Sequence, residues 1–425
     1  MVLRFNKRKV YLSVFLFMFI FMPPIFPYIN ILYILDVFAV IAIVTKYKSE
    51  YLLICTNKTI SWFKNTFFIF SVVTIMHNIL DWTIGEQLEV NEYIVNIYRI
   101  VGVEVLIIAC SVYVVCYCLK NNLDFKQLCS CFMYAGLIQS IFAVIMVISP
   151  SAKIYFNNLF VMHTYGSIEN SGIKSWIFNE RLYGFANVLY DGFGYGTGII
   201  AGIAIWLMLE EKKINIKYVL YVLVLITVPV LNSITGFFIA LLAVLLKGGQ
   251  IIKNKGIKFN SLIYCVLLIA SAAGGLLILN NRATAAINRL FSNIMAILGK
   301  NNQITSYSNL MRPSYWILPT GIIDKFIGTG HTIYTTTQFG HSDVGYINMI
   351  WMAGIIGCIW LYSIFIIPIY TEYRKSGTDL KKSILLFLII AFLFFELKGI
   401  GVAINTGMPI IITLMYMAAL EEEGK

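Results

Sequence analysis

Residues 344–369 read VGYINMIWMAGIIGCIWLYSIFIIPI, and no side chain in that run carries a charge. About 20 consecutive apolar residues cross a bilayer as a helix, whereas a barrel strand needs about 10 with strict alternation. This run does not alternate, and basic residues, Arg374 and Lys375, follow it. Hydrocarbon offers no partner to a free backbone N–H or C=O, so such a stretch must satisfy its peptide groups internally, as a helix. Working outward, eleven further stretches read the same way: 10–26, 29–45, 65–82, 94–118, 128–149, 190–209, 217–231, 234–247, 260–280, 383–400 and 405–420. The expectation is an all-α polytopic membrane protein with about 12 transmembrane helices and a tight turn at Asn232-Ser233. Composition agrees, because 59% of the 425 residues are hydrophobic and only 12% are charged, about half the charged share of a soluble domain.

The charges that remain orient the chain. Of the 32 basic residues, 22 fall in loops or ends that twelve spans place on one side, beginning with Arg4, Lys7, Arg8 and Lys9. Positive residues stay in the cytoplasm, so both ends are expected there. The first apolar stretch follows basic residues as a signal peptide does, but no small-residue cleavage site comes after it, and it reads as a retained helix. The formal charge of +11 is thereby spent on topology and does not point to nucleic acid. Cys116, Cys118, Cys129 and Cys131 form two C-x-C pairs either side of a short loop, and read as small apolar residues at helix ends rather than metal ligands. Residues 1–425 read as a single integral membrane domain with two long external segments, about 150–189 and about 281–343. Loops of that length are usually functional where they are ordered.

Ten basic residues run against the inside bias: Arg99, Lys153, Lys174, Arg181, Arg282, Arg289, Lys300, Arg312, Lys325 and Lys398. Five lie in the second long segment against only Asp324 and Asp343. That surplus suits an anionic ligand such as a phosphate or diphosphate, which the arginine fork binds bidentately. Arginines near helix ends also snorkel toward lipid phosphates. The same segment holds His331 and His341, the residue type best matched to proton transfer near neutral pH, and Asp343 stands two positions from His341. Within or beside the spans lie Asp36, His77, Asp81, Arg99, Glu104, Glu396 and Lys398. Arg99 with Glu104, and Glu396 with Lys398, read as partners, since charges in lipid pair or face the bundle interior. There is no phosphate-binding loop, no H-E-x-x-H motif and no cytoplasmic domain large enough for a sugar nucleotide. An enzyme built this way draws on a lipid-borne or external substrate that is already activated.

Three stretches then carry a resemblance. The first runs from Asn179-Glu180-Arg181-Leu182-Tyr183-Gly184-Phe185 through Asn187 to Asp191-Gly192-Phe193-Gly194-Tyr195-Gly196. The second is Asn232-Ser233-Ile234-Thr235-Gly236, without the arginine often found after that serine. The third comprises Arg312-Pro313-Ser314-Tyr315-Trp316, Gly328-Thr329-Gly330, and His341-Ser342-Asp343-Val344-Gly345-Tyr346 leading into Gly354-Ile355-Ile356-Gly357. Their order and spacing resemble the O-antigen polymerase and ligase superfamily, the Wzy-type and WaaL-type proteins. His341-Ser342, where ligases more usually show His-Asn, leans toward a polymerase of O-antigen or capsule.

The resemblance implies a GT-C-like inverting glycosyltransferase of a bacterial cytoplasmic membrane, working without metal or cofactor. Donor and acceptor would be undecaprenyl-diphosphate-linked oligosaccharides at the outer face, with a chain-length regulator as a further partner. His341 would be the general base, and Arg181 and Arg312 would hold the diphosphate, with Arg282 or Arg289 in reserve. His331, Asp343, Asn187, Tyr183 and Trp316 would help bind substrate, the aromatic residues (Tyr195 and Tyr315 among them) by stacking on sugar rings or by sitting in an interfacial belt. A ligase passing the glycan to another acceptor, and a transporter or flippase using Arg99, Glu104 and Glu396 near mid-membrane, are the alternatives.

Overall fold

The structure is a computed structural model. It describes residues 6–26, 29–84, 97, 101–164, 184–186, 190–211, 215–253, 288, 291–292, 294–295, 310, 312–333, 342–402 and 405–421. Among these the chain is almost entirely helical, without a strand. The helices are α1 (Lys7–Phe21), α2 (Ile31–Lys46), α3 (Lys48–Thr56), α4 (Lys58–Ile84), α5 (Val103–Lys120), α6 (Phe125–Ile148) and α7 (Pro150–Thr164). They continue as α8 (Tyr190–Glu210), α9 (Ile216–Asn232), α10 (Ile234–Lys253), α11 (Ile322–Ile327), α12 (Gly345–Lys375), α13 (Asp379–Phe395) and α14 (Met408–Glu421). Among the described residues four segments are long and apolar enough to cross a membrane: Lys58–Leu80, Phe125–Ile148, Gly192–Glu210 and Gly345–Lys375. Ile216–Asn232, Ile234–Lys247 and Met408–Glu421 are shorter apolar helices.

A helix overlaps each expected stretch except 260–280, which lies outside the described residues, as do 94–96 and 98–100 of the fourth stretch. Three features depart from expectation. The first helix ends at Phe21, where Met22 takes a left-handed φ of 46°, ahead of Pro23-Pro24, which cannot continue the ladder. A separate short helix, α3, precedes α4, and the segment expected as the first long loop opens with α7. The step from α9 to α10 is as tight as expected, a single residue, Ser233.

Local chemistry starts the helices. Asn6, Asn30 and Asn215 accept from backbone N–H groups of the first turns of α1, α2 and α9, and Asp124 with Gln127 forms a capping box on α6, meeting donors that a helix start leaves open. α8 lies centrally, packed on α6, α9, α10 and α13. Its Gly194, Gly198 and Gly202 recur every four residues on one face. A Cβ on Gly194 would fall on Ser233 and one on Gly198 on Gly236, so the two helices meet backbone to backbone, as small residues permit in lipid. α14 is buried along its length, and α12 runs beside α4, α11 and α13.

α12 is broken inside. Gly354 has φ 68° and ψ 179°, a conformation that disfavours any side chain. The break frees the carbonyls of Trp351 and Met352, which accept instead from the N–H groups of Thr329 (2.6 Å) and Gly330 (3.1 Å). A Cβ on Gly354 would strike the backbone of Phe326 and Ile327, and one on Gly328 the backbone of Met352–Gly354. The loop after α11 is thus seated in the break.

Candidate functional site

The N-terminal end of α12 is assembled from the turn after α13. Glu396 is fully buried. Its backbone carbonyl accepts from Gly345 (2.8 Å) and Tyr346 (3.3 Å), two of the N–H groups that a helix start leaves open. Its carboxylate takes the N–H of Gly401 at Oε1 (2.8 Å) and the hydroxyl of Tyr362 at Oε2 (2.9 Å). Tyr346 donates its hydroxyl to the carbonyl of Leu393 (2.8 Å). The expected pairing of Glu396 with Lys398 is therefore corrected. Residues two apart in a helical turn do not face one another, and Lys398 instead pairs with Asp343 at 2.8 Å.

Ser342 joins this end to the Arg312 element. Its hydroxyl donates to the carbonyl of Tyr315 (2.6 Å) and accepts from the N–H of Val344 (3.1 Å), while Asn348 donates to its carbonyl (2.8 Å). Pro313–Tyr315 is a 3₁₀ turn preceded by Arg312, whose side chain is exposed. The indole of Trp316 donates to Leu310 (2.6 Å) and that of Trp351 to Ile317 (2.8 Å). His331 is buried beside Trp351, ring centroids 5.9 Å apart. Arg312, Trp316, His331 and Asp343 thus belong to one cluster around the start of α12. His341, Arg181, Arg282, Arg289, Asn187 and Tyr183 lie outside the described residues, as do Arg99 and Lys174.

The other two sequence stretches pack close by. Gly184 (φ 67°) rests on Gln139 and donates its N–H to the sulfur of Met146 (3.0 Å), placing the end of the Arg181 stretch against α6. Thr406 holds the start of α8 through the carbonyl of Gly192 and the N–H of Gly196. The ring of Tyr195 stacks on Phe395 at 4.1 Å and 5°, next to Glu396. Gly236 of the second stretch lies against the backbone of Gly194. Tyr195 is fully buried in this packing, so it does not stand ready to stack on a sugar.

The arrangement offers an exposed guanidinium at Arg312, a neutralised Asp343 and a buried, fully occupied Glu396. Among the described residues no three His, Cys, Asp or Glu side chains gather closely enough to hold a metal ion. Cys116, Cys118, Cys129 and Cys131 are buried in the core. Glu104 is also buried, with no hydrogen-bond partner for either carboxylate oxygen among the described residues. Tyr362 has no counterpart among the sequence motifs, and Ser342 and Gly354 stand there only as motif members, without the contacts they make. Only Gly354 left a signal, a glycine amid a long apolar run. No protein-family model matches this chain, and no curated protein matches it.

Proposed function

We propose that this chain is a polysaccharide polymerase of the O-antigen or capsule type, a metal-independent inverting glycosyltransferase with about twelve spans and both ends in the cytoplasm of a bacterial cell. A growing glycan on undecaprenyl diphosphate is the donor, and the terminal sugar hydroxyl of a second lipid-linked repeat unit is the acceptor. The hydroxyl oxygen attacks the anomeric carbon as the glycosyl–diphosphate bond breaks. His341 takes the hydroxyl proton, and Arg181 and Arg312 stabilise the charge that collects on the departing diphosphate. Because that bond is already activated, positioning and charge stabilisation suffice.

What supports the reading is the hydrogen bond of Ser342 to Tyr315. It ties the turn that carries Arg312 to the segment directly following His341, so two of the three motif pieces are neighbours although nearly 30 positions separate them in sequence. The Asp343–Lys398 pair and the Glu396 turn hold that segment from the other side.

The test is glycan length, read on a gel, in cells carrying wild type, Arg181→Ala, Arg312→Ala or His341→Ala, with membrane levels of each protein measured. The expected result is single repeat units from variants that insert normally. Unchanged ladders overturn the site, and full-length chains accumulating on the lipid diphosphate make the protein a ligase.

A further inference from the structure

Helix α11 is inside out. Ile322, Ile323, Phe326 and Ile327 are 75, 71, 49 and 55% exposed, while Asp324 and Lys325 between them are partly buried. Positions i, i+1, i+4 and i+5 lie on one side of a helix, so the outward side is wholly apolar and the charged pair turns inward. Asp324 folds back over Gly321. A helix facing water shows the opposite arrangement, and exposed apolar patches of this kind mark a binding surface or a lipid contact. Trp316, Ile317 and Leu318, also exposed, extend the strip toward Arg312.

The depth of this strip is set by the break in α12. The chain leaving α11 is bonded to Trp351 and Met352, and Gly354 lies nine residues into α12, about 13 Å along its axis at 1.5 Å per residue. α12 is long and apolar enough to cross a membrane. Directly after the break Ile355, Ile356 and Ile359 are exposed, so α12, like α11, turns apolar residues outward there. Non-helical backbone at membrane depth is tolerated only where protein meets its polar groups. The bonds from Thr329 and Gly330 into the broken helix supply partners of that kind.

We infer that Trp316–Ile327 is a re-entrant element whose apolar side lies among the acyl chains of the membrane lipids. The inference rests on α12 crossing the membrane, as in the function proposed above, and not on the glycosyl transfer or on which way the chain faces. Tyr315 and Trp316 then stand where interfacial aromatic residues do. Arg312, beside them, comes to the level of lipid phosphates, and a lipid-borne diphosphate reaches it sideways from the bilayer.

The experiment places an environment-sensitive fluorophore on Ile323→Cys, on Ile359→Cys as a lipid-facing control and on Gly377→Cys, an exposed position between α12 and α13, as an aqueous control. Unsubstituted chain labelled in parallel sets the background. Each protein is reconstituted into phosphatidylcholine–phosphatidylglycerol vesicles with and without dibrominated acyl chains. The label at 323 is expected to be quenched several-fold more than at 377, and to a similar extent as at 359. Quenching at 359 but not at 323 overturns the re-entrant element alone. Quenching at neither overturns the membrane crossing of α12 as well. Energy transfer between labels at 323 on separate chains, without quenching by lipid, assigns the surface to a second copy and overturns the lipid contact.

Discussion

The two ends of α12 each bury a glutamate and use it differently. At the C-terminal end Glu372 accepts from Thr59 (2.7 Å) and pairs with Lys375 (2.7 Å), one helical turn away and half exposed. Lys381 nearby donates to the carbonyl of Ala418, and Asn57 to that of Ala419. This is a cationic end where Glu372 pairs locally and Lys375 reaches water. At the N-terminal end no cation pairs with Glu396 among the described residues. Its carboxylate and carbonyl are occupied by Tyr362, Gly401, Gly345 and Tyr346, and the nearby cation, Lys398, is directed to Asp343. One end staples helices, whereas the other fixes the backbone of a particular segment, the one that follows His341. Buried carboxylates held by backbone donors tolerate change poorly, because removing them strands the donors.

The largest effect should come from Glu396→Ala, which leaves two buried donors unmet at about 1–3 kcal/mol each. A loss of about 2–6 kcal/mol is expected, visible as a lower melting temperature of purified protein and less folded material by size-exclusion chromatography. Glu396→Gln should recover most of it, since the amide oxygen still accepts. If alanine and glutamine behave alike, the contrast between the two ends fails.

Gly354→Ala ranks next. It puts a Cβ on the Phe326 backbone and a side chain at φ 68°, and strain of that kind costs about 1–3 kcal/mol. Protease sensitivity between residues 316 and 333 should rise before the whole protein melts. A double-mutant cycle of Lys398→Met with Asp343→Asn should give a coupling of about 1–2 kcal/mol, as expected for contacting, partly buried charges. It should also shorten glycan chains if Asp343 positions the segment after His341. The smallest change is expected for Lys375→Ala, where water can replace the exposed ammonium and the loss should stay within about 1 kcal/mol. A coupling at Lys398–Asp343 no larger than the Lys375 effect would make both ends mere staples.

Much of the molecule was legible from local pattern. Helical class and the rough positions of the long apolar helices follow from hydropathy, because hydrocarbon leaves a backbone few alternatives. Arg312 and Asp343 could be picked out by residue type and surroundings.

What only the tertiary structure decided is which of these groups meet. Lys398 had a carboxylate two residues away and took one 55 positions away, because in a helical turn neighbours diverge while α12 and α13 present their ends to each other. The break at Gly354 is readable as a glycine but not as a socket, since its function depends on a loop that returns from before the helix. Nor does a hydropathy window distinguish α11, whose apolar residues would suit a buried core equally well. Their outward direction is set by where Thr329 and Gly330 are bonded. Patterns that sum over adjacent residues report on solvent, and pairings between distant residues are set by packing.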